Sequence, residues 1–510
     1  MKMTKEKKID IIVYFSICFM SFIFVYFCSG STSPIIERYY GDDSAMFQVI
    51  GKSWSRGIIP YIGTFDHKGP FIFFVNMLGY LMGNYGMIIV QGIFMSFTFF
   101  GLYKLSRLFI GIGFSIVVTI CSYVVLLNTY GFGNYTEEYS LLFIVYSLYL
   151  GLKFFLSRND QGGKVHPWIY SIWYGISFMC IFMMRLTSAL AICCVILVIL
   201  VQLIMEKQWL CIFQNILGFL CGCMVIMIPF SIYFGYYNAW YDMIYGTILH
   251  NLLYAERSSI FLEGVEWRPV YIALFTDVVL LMVSVIHLII CKKKNIQVAV
   301  LGVLLSILSG AMFFKMNRYL HYYMIILPYF ILSAGIVASM QKQKRNTVIN
   351  KIVVSVTMCL VGMQVVLSIS RIPMQKHMRE VFQVYAQEYV ECADTIMKYV
   401  PEEEKSDVLV FGSNAFSQMY LVEDIDPSYK YCMLQGWMSS CSDEIKYDVE
   451  NYLQKSPAKW LIVDADVNTG KIAENHCHEI ADIIQNRYRL IDTEKMENDG
   501  LCFQLYELVD

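Results

Sequence analysis

The stretch YYGDDSAMFQVIGKSWSRGIIPYIGTFDHKGP, residues 39–70, decides how the chain is to be read. It gathers Asp42, Asp43, Lys52, Arg56, Asp66, His67 and Lys68 in an otherwise apolar neighbourhood, directly after a hydrophobic run. A charged side chain at membrane depth costs about 2.5–3.5 kcal/mol on insertion scales, so a cluster of them at the edge of an apolar body marks a site. Within the stretch, Met46, Phe47, Ile50 and Trp54 recur at helical spacing. This predicts an amphipathic helix that begins at Asp42 or Asp43 and lies on the membrane surface.

The rest of the chain agrees with a membrane setting. Of its 510 residues 57% are hydrophobic and 16% charged, against about 45–50% and 25% in soluble domains. A single soluble domain of this length cannot hide so much apolar surface. The formal charge of −2 offers no basic excess to neutralise nucleic-acid phosphates. Most of the 16 cysteines, Cys193, Cys194, Cys221 and Cys223 among them, sit in hydrophobic runs and count as small apolar residues. The five beyond residue 380 (Cys392, Cys432, Cys441, Cys477 and Cys502) have no metal-like spacing and imply no disulfide framework. The N-terminal MKMTKEKK and the apolar run behind it lack an A-x-A-like cleavage site, so we read them as a retained first helix.

Apolar runs long enough to cross a bilayer lie near residues 10–29, 86–103, 108–127, 139–156, 168–184, 187–205, 211–234, 270–290, 296–314, 319–338 and 349–369, about eleven in all. The run at 70–83 is short and glycine-containing, and reads as an interfacial helix. With the N-terminal lysines inside, alternation places Lys104 and Arg107, Lys153 and Arg158, Lys207, Lys292–Lys294 and Lys342–Arg345 on the cytoplasmic side. The carboxylate-rich loop, the segment 128–138, the loop 235–269 and the tip 314–318 then face outward. Residues 1–372 thus form a helical membrane domain. From 373 to 510 the chain is charged, with buried-strand patterns at DVLVFGS (407–413), KWLIVDAD (459–466) and LCFQLYELV (501–509) and a helical pattern over 380–400, which predicts a soluble, extracytoplasmic α/β domain.

Several residues can carry chemistry. An aspartate opening a helix also serves as a cap, but capping needs only one of Asp42 and Asp43. Asp66 and Lys68, two apart in a turn-forming context, can turn a base and a cation toward one cleft, with a snorkelling ion pair as the plainer reading; His67 reads more readily as a structural hydrogen-bonding residue. Glu137 and Glu138 open the second outer loop, where they either orient a ligand or are solvated. Arg318, Tyr319, His321, Tyr322 and Tyr323 mark a membrane boundary; aromatics there are ordinary anchors, and Arg318 and His321 rise above that. His250, Asn251, Tyr254 and Arg257 form a further polar group on the 235–269 loop. His476-Cys477-His478 has the residue types of a metal site but nothing nearby to complete it, and Asn134-Tyr135-Thr136 formally reads as a glycosylation triplet.

A first helix, an acidic pair opening the first outer loop, a surface helix and then acid-x-Lys before proline together resemble the GT-C glycosyltransferases. The resemblance is to the protein O-mannosyltransferases and the lipid A aminoarabinose transferases, glycosyltransferase family 39 and its bacterial relatives. It is sharp over 39–72 and extends over about 10–370, with weaker echoes at 132–142, 182–189 and 317–328. Many relatives run Lys directly into Pro, whereas Gly69 intervenes here.

The resemblance implies a polytopic α-helical GT-C fold in a bacterial cytoplasmic membrane, with its site outside. It implies inverting transfer of a sugar from a polyprenyl-phosphate donor to a hydroxyl of an envelope glycan, lipid or protein. Asp42 and Asp66 would be catalytic and Lys68 would hold the donor phosphate, with Arg185, Lys315 or Arg318 at neighbouring outer helix ends. Asp43, His67, Glu137, Glu138, His321, Tyr322 and His250 would contact substrates, and the soluble domain would help select the acceptor. No metal ligand set is implied; a divalent cation stays open as cofactor. The departing group is a stable phosphate, which calls for charge neutralisation more than a general acid, while the attacking hydroxyl calls for one carboxylate base. The rival readings are a transporter or lipid-linked-sugar flippase, whose charges belong near the bilayer midplane, a non-catalytic envelope scaffold, and a ligase acting on lipid-diphosphate oligosaccharides.

Overall fold

In the computed structural model, residues 5–161, 165–257, 267–291, 295–315, 319–341, 348–434, 436–472, 480–498 and 500–509 are described. Arg318 and the His476–His478 segment lie outside these residues, as do the side chains of Lys315 and Arg257. The chain begins with the helices α1 (Lys5–Cys28), α2 (Asp43–Ser55), α3 (Pro70–Leu81), α4 (Gly86–Arg107), α5 (Ile112–Leu126), α6 (Thr136–Gln161), α7 (Trp168–Arg185), α8 (Leu190–Met205) and α9 (Trp209–Tyr236). After the single turn α10 (Trp240–Ile244) come α11 (His250–Arg257), α12 (Trp267–Cys291), α13 (Ile296–Lys315), α14 (Leu327–Gln341), α15 (Val348–Ile369) and α16 (Arg371–Met397). The 24 residues of α1 extend about 36 Å at 1.5 Å per residue, enough to span a hydrocarbon core of about 30 Å.

Among the described residues, 9 helical stretches are long and apolar enough to cross a membrane. Two of the expected crossings do not stand alone by that measure. The stretch Trp168–Met205 counts once, although a 3₁₀ turn at Leu186–Ala189 splits it into α7 and α8, and α5 at 15 residues is short. The crossing expected near 319–338 is also broken. Pro328, which has no N–H to donate, sits in the first turn of α14, and Leu320–Ile326 before it winds as a 3₁₀ helix. α7 and α9 approach closely through glycines: a Cβ on Gly175 would lie 2.0 Å from the Phe219 carbonyl oxygen, and one on Gly222 2.0 Å from that of Ile172.

The C-terminal sheet has strands β1 (Val408–Phe411), β2 (Trp460–Asp464), β3 (Tyr488–Lys495) and β4 (Cys502–Leu508), in the order β1-β2-β4-β3. β1 and β2 are parallel, with Val408 opposite Trp460, and β4 pairs antiparallel with both β2 and β3. β1 is apolar throughout and β2 is apolar up to its last residue, Asp464; both are buried at every position, as strands covered on both faces must be. The amphipathic helix α17 (Asp443–Lys455) lies on the crossover between them, packing Ile445, Val449 and Leu453, with Ser442 as its cap. β3 has no comparable alternation and was not expected; pairing with β4 makes it a strand. α16 leads from α15 to the sheet, where Tyr389 meets Phe503 edge-on at 5.2 Å.

One expectation fails. α2 does not lie on a membrane surface: every residue from Ser44 to Trp54 is buried. One side packs on α3 so tightly that a Cβ on Gly51 would sit 2.5 Å from the Asn76 Cβ. The polar side is covered by the sheet domain. Lys52 Nζ donates to the carbonyls of Tyr420 (2.6 Å) and Ile425 (2.8 Å) and meets Asp424 Oδ1 at 3.3 Å. Arg56 pairs with Asp424 at 2.6 Å and Asp426 at 3.0 Å. The polar stripe that suggested water is matched by carboxylates and carbonyls about 370 residues further on.

Candidate active site

The turn carrying Asp66, His67 and Lys68 is held from both ends. Tyr61, buried and with φ of 72°, closes a tight loop by donating its N–H to the Thr64 carbonyl (2.6 Å). Its hydroxyl then donates to the Lys68 carbonyl at 2.8 Å. Asp66 Oδ1 accepts the Lys68 N–H at 2.7 Å, the hydrogen bond of an Asx turn. Asn251 of α11 donates to the His67 carbonyl at 2.6 Å. Gly246, in a π-helical turn (Tyr245–Leu249), lets that element press on the Tyr61 ring and the Asp66 carbonyl. Gly69, which stands between Lys68 and Pro70, has a steric reason. A Cβ there would lie 2.4 Å from the Met183 carbonyl oxygen, so glycine lets the turn reach the end of α7, where Arg185 stands.

Lys68 Nζ lies 2.6 Å from His67 Nε2. An ammonium can only donate, so His67 is the acceptor, with its ring proton on Nδ1, which faces Asp66 Oδ1 at 3.8 Å. Burial first, and then the Lys68 charge, hold His67 well below the ordinary imidazole range. Burial pushes the Asp66 carboxyl above its usual value, opposed by the Lys68 ammonium and N–H and reinforced by the Asp43 charge. Burial also brings His250, whose ring centroid lies 6.4 Å from that of His67, down to about 4, so both rings are neutral near pH 7.

The acidic pair divides its labour by geometry. Asp42 occupies the cap position of α2, exposed, without a side-chain capping hydrogen bond. Asp43, half-buried, turns inward: Oδ1 accepts from Asn414 Nδ2 at 2.7 Å and Oδ2 faces His321 Nε2 at 3.9 Å. The His321 ring stacks on Tyr135 at 4.1 Å, and the charges of Glu137, Asp43, Arg185 and Lys68 all act on it. Arg185 forms an ion pair with Glu137 and lays its guanidinium over the Tyr322 ring at 3.3 Å. One charged cluster therefore contains Asp43, Asp66, His67, Lys68, Glu137, Arg185, His321 and Tyr322, with Asp42 at its rim and His250 behind His67.

Glu138 points elsewhere. Its oxygens accept from Gln91 (2.8 Å), Tyr130 (2.9 Å) and the Asn134 N–H (2.8 Å), which makes it a buried structural hub. Asn134 is buried as well, donating to Ser44 and Asn76 at 2.9 Å each, so its triplet offers no accessible amide. Sequence reasoning missed Tyr61, Tyr135 and Asn414. Tyr135 adjoins the acidic pair of the second loop and was within reach; nothing in the sequence ties Asn414 to Asp43. Among the described residues no group of three or more His, Cys, Asp or Glu side chains is placed to hold a metal ion.

No family model matches the chain, and no curated protein matches it. Solved structures do match in shape. ArnT from Cupriavidus metallidurans bound to undecaprenyl phosphate is similar over 98% of both chains, with a TM-score of 0.52 at 10% identity. Its apo state gives 0.51 over the same share. The chain has the GT-C fold. This is the architecture of a class of membrane glycosyltransferases, and at 10% identity the likeness speaks for the fold. The Archaeoglobus fulgidus oligosaccharyltransferase, solved in complex with Zn and sulfate, aligns over 96% of this chain and 72% of its own, at 10% identity and a TM-score of 0.48. The fold brings the loop between α1 and α3, the end of α7 and the start of the 320–326 turn together, where the charged cluster sits.

Proposed function

We propose that this protein is a membrane glycosyltransferase that moves a sugar from a polyprenyl-phosphate donor to a hydroxyl of an envelope glycan, lipid or protein at the outer membrane face. The observation that carries the reading is the fixed Asp66-His67-Lys68 turn facing Asp43 and Arg185. A neutral imidazole accepts from Lys68, and no carboxylate among the described residues lies within ion-pair distance of its ammonium. Such a cation suits a phosphate. A structure of the same fold was solved with undecaprenyl phosphate bound.

The reaction is a single displacement. The acceptor oxygen attacks the anomeric carbon, the bond from that carbon to the phosphate oxygen breaks, and its electron pair leaves with the polyprenyl phosphate. The acceptor proton passes to a carboxylate of the acidic pair, with Asp43 the member that faces the cluster. Lys68 neutralises the departing phosphate and Arg185, already paired with Glu137, supports it. One base and one face of attack give inversion; retention would need a second carboxylate as nucleophile.

The test is transfer of radiolabelled sugar from polyprenyl phosphate by the purified protein, with mass spectrometry of envelope glycans to identify the acceptor. Lys68→Ala should lose about 10²–10³-fold in rate, as for removal of one preorganised charge donor. Asp43→Asn should lose more than Asp42→Asn. Transfer undiminished in Lys68→Ala would remove the phosphate assignment.

A further inference from the structure

The sheet domain reaches the charged cluster through one loop. It leaves the carboxyl end of β1, beside the carboxyl end of the parallel β2, and contains the turn Asn414–Ser417. In open α/β sheets this is the end that receives ligands, because the loops there converge and expose backbone N–H groups. Here that end meets the start of α2. Asn414 Nδ2 donates to Asp43 Oδ1 at 2.7 Å, and four residues later Gln418 Oε1 accepts the Tyr40 N–H at 3.1 Å. The same domain presses the Tyr431 ring edge-on to Phe65, the residue before Asp66, at 5.2 Å. Ser442 Oγ lies 2.5 Å from the hydroxyl of Tyr245, at the head of the π turn that packs on the Asp66 carbonyl. Both acidic positions of the membrane site are thus supported from outside the membrane domain.

We propose that Asn414 is a positioning residue for Asp43: it holds Oδ1 so that Oδ2 faces the cluster, and the site is complete only with the sheet domain docked. The inference rests on the glycosyl-transfer reading above. An amide N–H donated to a carboxylate does two things. It removes the freedom of the carboxylate to rotate away, and it favours the ionised, proton-accepting form. Among the described residues, Asn414 is the side chain of the sheet domain that hydrogen-bonds Asp43.

The experiment uses the whole chain in detergent, with kcat, donor KM and the thermal midpoint measured for Asn414→Ala, Asn414→Asp, Asn414→Ser and, as an interface control, Asp426→Asn. Removing the donor should lower kcat about tenfold or more, the range for lost orienting partners, and leave donor KM unchanged. Asn414→Asp, which sets a second carboxylate against Asp43, should lower kcat further. Asn414→Ser keeps a donor and should recover part of the rate. Asp426→Asn should keep the wild-type kcat even if its thermal midpoint falls. A wild-type kcat in Asn414→Ala would overturn the inference, as would losses that merely track the thermal midpoint across all four variants. A wild-type protein that transfers no sugar overturns the underlying reading instead, so the two failures are told apart by the first measurement.

Discussion

His67 owes its state to its neighbours. Lys68 occupies Nε2, and the interior does not favour a second positive charge beside that ammonium. Folding therefore keeps the ring neutral, whereas in the unfolded chain it takes a proton below about pH 6.5. The unfolded state then binds more protons, so stability is lost as pH falls through that value. The thermal midpoint of the wild type should drop between pH 7.5 and 5.5, and His67→Gln, which retains a neutral acceptor, should flatten that slope. A slope unaltered by the substitution would place the acid sensitivity elsewhere. Asp66 works in the opposite sense, because its raised carboxyl binds a proton more readily in the folded state. At this scale the sequence was informative about residue types but not about aim. It singled out both aspartates of the pair and both glutamates of the second loop. Which member turns inward depends on where each falls on its helix, and Glu138, one residue beyond Glu137, is captured by Gln91, Tyr130 and Asn134 instead.

Among the elements, the junction between the charged turn and α3 shows how a departure from pattern is explained by its neighbour. Gly69 lies against the Met183 backbone, which cannot yield as a side-chain tip would. Gly69→Ala should push the turn off α7 and part Lys68 from Arg185. We expect overpacking of about 1–3 kcal/mol, read as a lower thermal midpoint, and, under the proposed function, a raised KM for the lipid donor. A variant with wild-type KM would show that the turn tolerates the displacement. The crossings were legible because twenty apolar residues in water have no other stable home. The breaks within them were less so: α14 opens at Leu327 with Pro328 in its first turn, and the 3₁₀ helix Leu320–Ile326 before it holds His321 and Tyr322. β1, β2 and β4 were legible as apolar runs, whereas β3, half-exposed along its length, takes its strand form from its partner.

For the whole molecule, amphipathicity revealed that α2 has two faces and said nothing of what covers the polar one. Water, lipid headgroups and another domain all satisfy the same stripe, and the partners of Lys52 lie too far along the chain for any local pattern to register. Their chemistry is specific. Burial draws Lys52 down to about 8, against the pull of Asp424 and Asp426, so its charge is retained at neutral pH by the contacts that receive it. Lys52→Met would strand the carbonyls of Tyr420 and Ile425, each worth about 1–3 kcal/mol when left unpartnered. The expected result is a lower thermal midpoint and faster proteolysis in the 420–426 segment, with the helical crossings intact. Loss of the crossings would instead show that the sheet domain is needed for their integrity.

The docking of α2 has a consequence for biogenesis. Residues 39–70 leave the ribosome early, while the segments that grip them, 414–426, are synthesised some 370 residues later. Until then Lys52 and Arg56 have no carboxylates to meet and Asp43 lacks its amide partner. A nascent polypeptide can thus hold nearly all its membrane helices before the contacts that complete the charged cluster exist.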